Sequence, residues 1–382
     1  MIQRFVVKVG SSVLTDERGR LLPSRIESLA QQISASLIAS VAAKSRGGTS
    51  PTRLAIIVSS GAIACGMAKL GLTRRPKSLA QLQACAAIGQ GELMHLYTMA
   101  FGKRGLVTAQ VLLTQEDLAN RARYRNAKQT LLTLLHQRVV PIVNENDTVA
   151  VEEITFGDND RLAALVACAV DAQLLILLSD VDGLLEHGRL IERVESLNHH
   201  YHALVHKGKR QTTKGGMASK LEAARIVGHS GVPMIIANGT VPSILTRILS
   251  GKSVGTLFVP PRNRLSSRKW WIAFALRQPH GVLIVDRGAA DALVEQGRSL
   301  LASGVREVRG RFESGAFVAV TDREGRELAR GMTNFSASEL LRVRGMNSDE
   351  VAKTLGRTRA CEVIHRDHLV LAKELHHETQ GS

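Results

Sequence analysis

Short apolar runs that alternate with helical patterns are the feature that most limits how this chain can fold. The runs are five or six residues long, enough for one buried strand each, and lie at 4–9, 54–58, 139–143, 173–178 and 233–237. Buried apolar strands that alternate with helices are typical of a parallel sheet covered by helices on both faces. The sequence therefore predicts an α/β fold with a mostly parallel sheet sandwiched by helices.

Polar clusters lie at the boundaries of these elements. Asn144, Glu145, Asn146 and Asp147 follow the run at 139–143, and a Gly-Asp-Asn-Asp cluster at 157–160 precedes an Ala-rich helical pattern. Either cluster alone is compatible with Asx turns that cap the next helix. In open α/β sheets, however, ligands bind outside the carboxyl ends of the strands. Two such clusters so close together favour a binding site there.

Two lysines lie beside turns rich in glycine and serine. Lys8 is in the first strand, shortly before the Gly-Ser-Ser turn at 10–12, and Lys220 ends a Gly-Gly segment at 214–220 that leads into a helical pattern. Backbone N–H groups of such turns bind phosphate oxygens, and lysine adds a point charge. The alternatives are a strand lysine that reaches water and a flexible loop with incidental lysines. Because the lysine precedes the glycine at 10, the first turn is not a P-loop.

Length and charge indicate at least two domains. A chain of 382 residues with a net charge of +16 has room for two or three domains and a large core. From Pro279 to the end there are 15 Lys and Arg and 15 Asp and Glu, so the positive excess lies before Pro279. A basic first domain fits polyanionic substrates such as nucleotides. Residues 261–278 are predicted to connect it to a smaller domain, in which strand-like pieces at 281–286, 316–322 and 327–332 predict a mixed β-barrel.

Other features of the sequence predict a cytoplasmic protein. Its four cysteines are widely spaced and lie mostly in apolar patterns, which is typical of buried thiols in a reducing compartment and not of a disulfide framework or a zinc site. No apolar run approaches the roughly 20 residues of a membrane span, and no signal peptide precedes the first strand. Aromatic residues make up 3% of the chain, which argues against a stacking platform for single-stranded nucleic acid.

Eight segments resemble, in the same order, the glutamate 5-kinase family, in which an amino-acid kinase domain precedes a PUA domain. The segments are VVKVGSSVL (6–14), VSSGAIACG (58–66), QVLLT (110–114), PIVNEND (141–147), FGDNDRLAA (156–164), SDVDGL (179–184), GGMASK (215–220) and SVGTLF (253–258). The resemblance covers nearly the whole chain and implies a kinase domain at 1–260, a linker at 261–278, a PUA domain at 279–365 and a tail at 366–382. It also implies ATP-dependent phosphorylation of the side-chain carboxylate of L-glutamate, the first step of proline synthesis.

Site residues follow from the same resemblance. The catalytic residues that it implies are Lys8, Asp158 and Lys220, with Asp158 organising the two lysines. The residues that it implies for glutamate binding are Ser60, Asn144, Asp147 and Asn159. Those that it implies for nucleotide binding are Lys8, Gly10, Ser179, Asp180, Lys214, Gly215, Gly216, Met217, Ala218, Ser219 and Lys220.

The implied reaction fits these residue types. A carboxylate that attacks a triphosphate brings two anions together, and Lys8, Lys220 and Mg²⁺ on the phosphate oxygens would offset that repulsion. A general base is not required, because the carboxylate is already ionised at neutral pH. The resemblance implies Mg²⁺ with ATP as the cofactor and no metal held by the protein's own residues. It further implies feedback inhibition by proline and a homo-oligomer, a dimer or a tetramer.

The sequence departs from the family pattern at three places and leaves three alternative functions open. Lys214 stands where a small residue is usual, Leu185 replaces an aromatic residue, and the stretch 186–194 is shorter than usual; all three lie on the nucleotide side. The alternatives are a kinase of the same fold for acetylglutamate, aspartate, carbamate or a nucleoside monophosphate, a regulatory homologue without activity, and an RNA-binding protein. The neutral charge after residue 278 and the few aromatic residues weigh against RNA binding.

Overall fold

The chain forms two compact units, Met1–Arg264 and Leu265–Ser382. The structure, a computed structural model, describes residues 2–45, 52–150, 158–195, 197, 216–261, 265–276, 278–356 and 361–375.

An eight-stranded sheet forms the centre of the first unit. Its strands are β1 (Arg4–Val9), β2 (Leu54–Ser59), β3 (Thr108–Leu113), β4 (Val140–Glu145), β5 (Leu174–Ser179), β8 (Arg193–Val194), β9 (Met234–Asn238) and β10 (Thr256–Phe258), while β6 (Leu185–Glu186) and β7 (Arg189–Leu190) form a separate hairpin. The order across the sheet is β3-β4-β2-β1-β5-β9-β10-β8, and its pairs are parallel except for β9 with β10. The mostly parallel sheet predicted from the sequence is confirmed.

Helices cover both faces of this sheet. They are α1 (Ser11–Leu14), α2 (Pro23–Ser45), α3 (Ala62–Lys69), α4 (Leu79–Gly102), α5 (Gln115–Ala119), α6 (Arg121–His136), α7 (Asp158–Ala169), α8 (Met217–Ser230) and α9 (Ile244–Leu249). Phe5, Val7 and Val9 of β1 are buried in one apolar cluster with residues of α2, α4 and α9. Because side chains alternate along a strand, Val6 and Lys8 point to the other face, against which α7 packs.

The strand order diverges beside β1. This strand is central, with β2 on one side and β5 on the other, and Lys8 is level with Val58 and Leu177. After β1 the chain continues to β2 on one side of this point, and after β5 it continues to β9 on the other side. Open α/β sheets bind ligands where the strand order diverges in this way. The carboxyl ends of β1, β2, β4 and β5 therefore share one edge.

Two glycines let α3 and α4 touch backbone to backbone. A Cβ added at Gly66 would lie 1.8 Å from the carbonyl oxygen of Cys85, and one added at Gly89 would lie 1.8 Å from that of Ala62. A third glycine, Gly61, begins the turn into α3 with a φ of +109°, a conformation that residues with a side chain rarely adopt. These contacts hold α4 against the turn that follows β2.

The second unit contains a five-stranded mixed sheet. Its strands are β11 (Gly281–Val285), β12 (Val305–Gly310), β13 (Phe317–Thr321), β14 (Glu327–Met332) and β15 (Leu369–Leu371). Their order is β12-β11-β13-β14-β15, with β11 and β13 parallel and the other pairs antiparallel. The sequence predicted β11, β13 and β14 and the mixed character of this sheet, but not β12 or β15.

Helices pack around the second sheet. They are α10 (Ser267–Trp270), a π-helix at Trp271–Ala275, α11 (Arg287–Val294), α12 (Ala337–Val343), α13 (Ser348–Leu355) and α14 (Ala372–Leu375). Residues 261–278 were expected to be a connection, yet they include α10 and the π-helix, and Trp270 and Trp271 are buried. Burial of two indoles gives this segment a packed structure of its own.

Candidate active site

A buried group of three charges lies at β1. The Nζ of Lys8 is 2.6 Å from Oδ1 of Asp160, and the Nζ of Lys220 is 3.2 Å from Oδ2 of the same carboxylate. Asp160 is 1% exposed, and the two lysines are 7% and 8% exposed. We call these three residues the lysine cluster. One carboxylate holds two ammonium groups together, so the cluster has a net charge of +1 and can attract an anion.

Electrostatics keep the carboxylate of Asp160 ionised. Burial by itself would raise its pKa, but the charges of Lys8 and Lys220, with the hydroxyl of Ser219, outweigh burial and lower the pKa of Asp160 below its usual value. The Ser219 hydroxyl donates a hydrogen bond of 2.7 Å to Oδ2. Removal of Asp160 from this buried group would leave two ammonium groups without a counter-charge, which is strongly destabilising.

Two helix N-termini bring the lysine cluster together. Asp160 is in the first turn of α7, where a negative charge is favoured by the helix dipole. Lys220 is in the first turn of α8, where a positive charge is disfavoured unless an anion lies nearby. Asp160 provides such an anion.

Neutral amide groups lie next to the lysine cluster. The Nδ2 of Asn159 donates to Oγ of Ser60 at 3.0 Å and to Oδ1 of Asn144 at 3.1 Å. The Nδ2 of Asn144 donates in turn to Oε1 of Gln90, in α4, at 2.9 Å. We call Asn159, Asn144 and Gln90 the amide chain. Three of the residues predicted for glutamate binding (Ser60, Asn144 and Asn159) are thus in direct contact.

A cavity of about 290 Å³ adjoins the amide chain. Its polar lining consists of Gln90, Gln110, Glu145, Asn146, Asp147 and Thr148. The rest of the lining consists of Ala62, Ala86, Ala87, Gly91 and Leu112. Asp147, the fourth residue predicted for glutamate binding, therefore lies at this cavity and not in the hydrogen-bonded chain. Its carboxylate adds an acceptor for a positively charged group.

The residues predicted for nucleotide binding lie at the carboxyl ends of β1 and β5 and at the start of α8. The N–H of Gly10 donates to the carbonyl of Leu178 at 3.0 Å, and the Ser179 hydroxyl donates to Oδ1 of Asp180 at 3.0 Å. Gly216 precedes α8, whose first turn is formed by Met217, Ala218, Ser219 and Lys220. Lys214 and Gly215 lie outside the described residues.

One residue that was not predicted for the site contacts both lysines. The resemblance assigned to Asp158 the task of organising the two lysines, but the carboxylate in contact with both belongs to Asp160. The side chain of Asp158 lies outside the described residues. The pattern Gly-Asp-Asn-Asp contains two carboxylates, and the start of α7 at Asp158 puts Asp160 in the first turn of the helix.

The sequence also left Gln90 without a role. It was part of a helix predicted from Gln81 to Gly102, and the signal that could have singled it out is its place among buried small and apolar residues. Cys85, Ala86, Gly89 and Leu93 of the same helix are buried around it. A buried amide in an apolar stripe needs a hydrogen-bond partner or a ligand.

The shortened stretch after β5 is a tight hairpin. Leu185 and Leu190 pair across it, and His187 has a positive φ of 50° at its turn. Leu185, which replaces an aromatic residue, is 49% exposed. After the hairpin the chain enters the sheet as β8, beside β10.

The described part of the chain lacks both a metal cluster and a membrane-spanning helix. It contains no group of three or more His, Cys, Asp or Glu side chains that could hold a metal ion. None of its helices combines the length and apolar character needed to cross a bilayer. The carboxylate of the lysine cluster is engaged by two ammonium groups.

The chain is similar to known proteins over nearly its whole length. The sequence profile of the amino acid kinase family matches residues 3–238, and that of the PUA domain matches residues 281–355. Similar curated proteins include the glutamate 5-kinase of Thermus thermophilus, which is 47% identical over 380 residues, covering 97% of this chain and 98% of the relative. The glutamate 5-kinase of Caldanaerobacter subterraneus is 46% identical over 375 residues, which cover 96% of this chain and 97% of the relative. That of Carboxydothermus hydrogenoformans is 46% identical over 378 residues, which cover 97% of this chain and 98% of the relative.

Proposed function

Since this chain belongs to the glutamate 5-kinase family of amino acid kinases, we propose that it transfers the terminal phosphoryl group of ATP to the side-chain carboxylate of L-glutamate. The products are ADP and L-glutamyl 5-phosphate, and the reaction begins proline synthesis. The observation that carries this proposal is the contact of one buried carboxylate with two lysines beside a chain of amide side chains. The first group suits the anionic phosphoryl group, and the second suits a zwitterionic amino acid.

Charge compensation is the main task of the protein in this reaction. The glutamate carboxylate is ionised at neutral pH and repels the triphosphate that it must attack. Lys8 and Lys220 are held on one side of the transferring group by Asp160, so their charges are in place before the substrates arrive. Such preorganised charge costs no reorganisation during the reaction, and it stabilises the transition state more than the ground state.

Nucleotide binding is assigned to the carboxyl ends of β1 and β5 and to the start of α8. The N–H groups of the first turn of α8 have no partners inside the helix and suit phosphate oxygens. Gly10, Ser179 and Asp180 lie at the neighbouring strand ends and line the same edge. We assign Gly216 to Lys220 to the phosphates, together with Lys214 and Gly215.

Magnesium enters this scheme bound to ATP. Mg²⁺ commonly retains several waters and is held by substrate phosphates and one or two carboxylates, which fits a site whose buried carboxylate is already paired. When bound, the ion neutralises charge on the phosphate oxygens. The task of the protein's own residues is to orient the nucleotide and the amino acid.

A hydroxylamine trap for acyl phosphate tests the proposed reaction. The full chain is incubated with ATP, Mg²⁺ and L-glutamate, with L-aspartate and N-acetylglutamate as parallel acceptors. We expect hydroxamate from glutamate alone, and its loss in Lys220→Met. Product from another acid and not from glutamate would contradict the proposed substrate, and no product from any acid by folded protein would contradict kinase activity.

The resemblance also supports three proposals, about regulation, assembly and location in the cell. They are inhibition by proline, a homo-oligomer that is a dimer or a tetramer, and a cytoplasmic location. Proline that competes with glutamate in the trap assay would support the first, and light scattering of the purified chain would measure the second.

A further inference from the structure

We propose that Gln90 reads the α-carboxylate of the acceptor amino acid through its side-chain N–H group, and so determines that the substrate must carry this carboxylate. The inference rests on the proposed function, because it assumes an amino acid that is phosphorylated on its side chain. It is carried by the amide chain and by the cavity that adjoins it.

A backbone group fixes the orientation of all three amides. The N–H of Glu145 can only donate, and it donates to Oδ1 of Asn144 at 2.9 Å. The other terminal atom of Asn144 is therefore Nδ2, a donor, and its partner on Gln90 must be the acceptor Oε1. Because Oδ1 of Asn144 is an acceptor, the atom of Asn159 that faces it must be the donor Nδ2.

This fixed order leaves one unused group at each end of the amide chain. Nε2 of Gln90 and Oδ1 of Asn159 are both buried, and neither has a hydrogen-bond partner among the described residues. Gln90 as a whole is 8% exposed. A buried donor without a partner is costly, so such a group in a cavity is expected to meet a ligand.

The chemistry of a zwitterionic amino acid matches these two groups. Oδ1 of Asn159 can only accept and therefore suits the ammonium group, with Asp147 at the cavity as a second acceptor. Nε2 of Gln90 can only donate and therefore suits a carboxylate oxygen. Glu145 also lines this cavity, and a second carboxylate would be repelled there unless a donor held it.

The positions of the groups give the substrate a direction. Asn159 is next in the chain to Asp160 of the lysine cluster, whereas Gln90 is at the far end of the amide chain. The side-chain carboxylate would lie at the lysines, the ammonium group at Asn159, and the α-carboxylate at Gln90. The close contact of Gly89 with Ala62 fixes the backbone beside Gln90, which limits how far its amide can move.

Gln90→Glu is the sharpest test, because it keeps the shape of the side chain and an acceptor for Asn144 but replaces the donor with a charge. We expect the KM for L-glutamate to rise about 100-fold and the KM for ATP to change less than about twofold. The matched control is Gln81→Glu, an exposed residue of the same helix, which should leave both constants unchanged.

An analogue distinguishes recognition of the carboxylate from a general disturbance of the site. The α-amide of L-glutamate has a neutral group in place of the α-carboxylate, so wild-type protein should prefer glutamate strongly. In Gln90→Glu the ratio of kcat/KM for glutamate to that for the amide should fall at least about tenfold, because the new carboxylate accepts from the amide. If the variant lost kcat/KM equally for glutamate and for the amide, or if its KM for glutamate were unchanged, the proposal would be overturned.

Two further variants cover the remaining outcomes. If Gln90→Glu does not fold, Gln90→Met removes the donor without adding charge, and the same ratio should fall by a smaller factor. Arg75 is a cation close enough to Asp147, at the cavity, for their charges to interact. If Arg75→Gln changes the ratio and the variants of Gln90 do not, the carboxylate is read by Arg75 and the proposal is wrong. Wild-type protein that phosphorylates no amino acid would instead contradict the proposed function, before any variant is compared.

Discussion

The lysine cluster and the amide chain lie at the same edge of the sheet but are held together in different ways. The first consists of full charges whose attraction must offset the loss of hydration of three buried ions. The second consists of neutral dipoles in which each amide fixes the orientation of the next. In the proposed reaction the charges stabilise the phosphoryl group, whereas the ordered dipoles select the acceptor by its shape and polarity. Loss of a residue should therefore affect stability and kcat in the first region and KM in the second.

The largest effect is expected from Asp160→Asn. The variant keeps the shape of the side chain but leaves Lys8 and Lys220 buried without a counter-charge, and we expect a loss of about 3–5 kcal/mol in the free energy of unfolding. Urea denaturation measures it. Asp171→Asn is the matched control, because Asp171 pairs with Lys128 at an exposed position, and it should change stability by less than about 1 kcal/mol.

The pH dependence of this difference has a definite sign. The folded-state pKa of Asp160 is lowered, so its ionised form contributes stability at all pH values above the ordinary value of 3.8. That contribution decreases as the pH falls below 3.8 and is lost as the pH passes through the lowered folded-state pKa. The gap in stability between wild type and Asp160→Asn should be constant at neutral pH and narrow in acid; a gap that widens in acid would contradict the assignment.

Lys8→Met is expected to act mainly on kcat. Removal of one preorganised charge from the transition state commonly lowers kcat by about 100- to 1,000-fold. We expect a loss of this size in the hydroxylamine assay with little change in the KM for glutamate. The control is Lys252→Met, at an exposed position of the same unit. If the kcat of Lys8→Met stayed within about tenfold of the wild-type value, Lys8 would have no direct role in the reaction.

Gly89→Ala tests the support of the amide chain. The added Cβ would overlap the carbonyl of Ala62, so we expect a loss of about 1–3 kcal/mol in the free energy of unfolding and a raised KM for glutamate. At Gly91, two residues further along α4, an added Cβ would have no atom within 4 Å. Gly91→Ala should therefore stabilise the helix by about 0.5–1 kcal/mol, and equal effects of the two changes on stability would contradict the packing argument.

Asn144→Asp should have a smaller and more selective effect. The new side chain still accepts from Glu145 and Asn159 but can no longer donate to Gln90. We expect the KM for glutamate to rise about tenfold while the KM for ATP is unchanged. A larger change in the KM for ATP than in that for glutamate would place Asn144 on the nucleotide side.

The smallest effect concerns thiol reactivity. Cys65, Cys85 and Cys168 are buried in α3, α4 and α7, and burial raises the pKa of the Cys65 thiol to about 11. Cys361 is partly exposed. With a thiol reagent in mildly alkaline buffer, we expect one fast reaction per folded chain and the other three only in urea. Two fast thiols would show that the helices behind the amide chain open readily.

Some of this protein could be predicted from its residues alone. Short apolar runs that alternate with helical patterns predict the parallel sheet, because strands covered on both faces are apolar throughout. Polar residues at the ends of these runs predict a ligand site at that edge. Lys8, Lys220, Ser60, Asn144 and Asn159 were all predicted as site residues on their motifs, and the structure brings them to one edge.

Strands of weak pattern escaped prediction for a physical reason. Residues of β12 are mostly exposed and charged, and β15 has three residues, so neither carries a clear periodic signal. Their strand conformation depends on pairing with β11 and β14, which are distant in sequence.

Local pattern and composition were sufficient to predict the parallel sheet, the two units and the types of side chain that meet at the site, because each of these depends on short stretches of chain. Tertiary packing was needed to show that Asp160 pairs with both lysines, and that Gln90 completes the amide chain. Both results depend on how a helix is turned and how closely it approaches its neighbour. The start of α7 sets the first, and the contact of Gly89 with Ala62 sets the second.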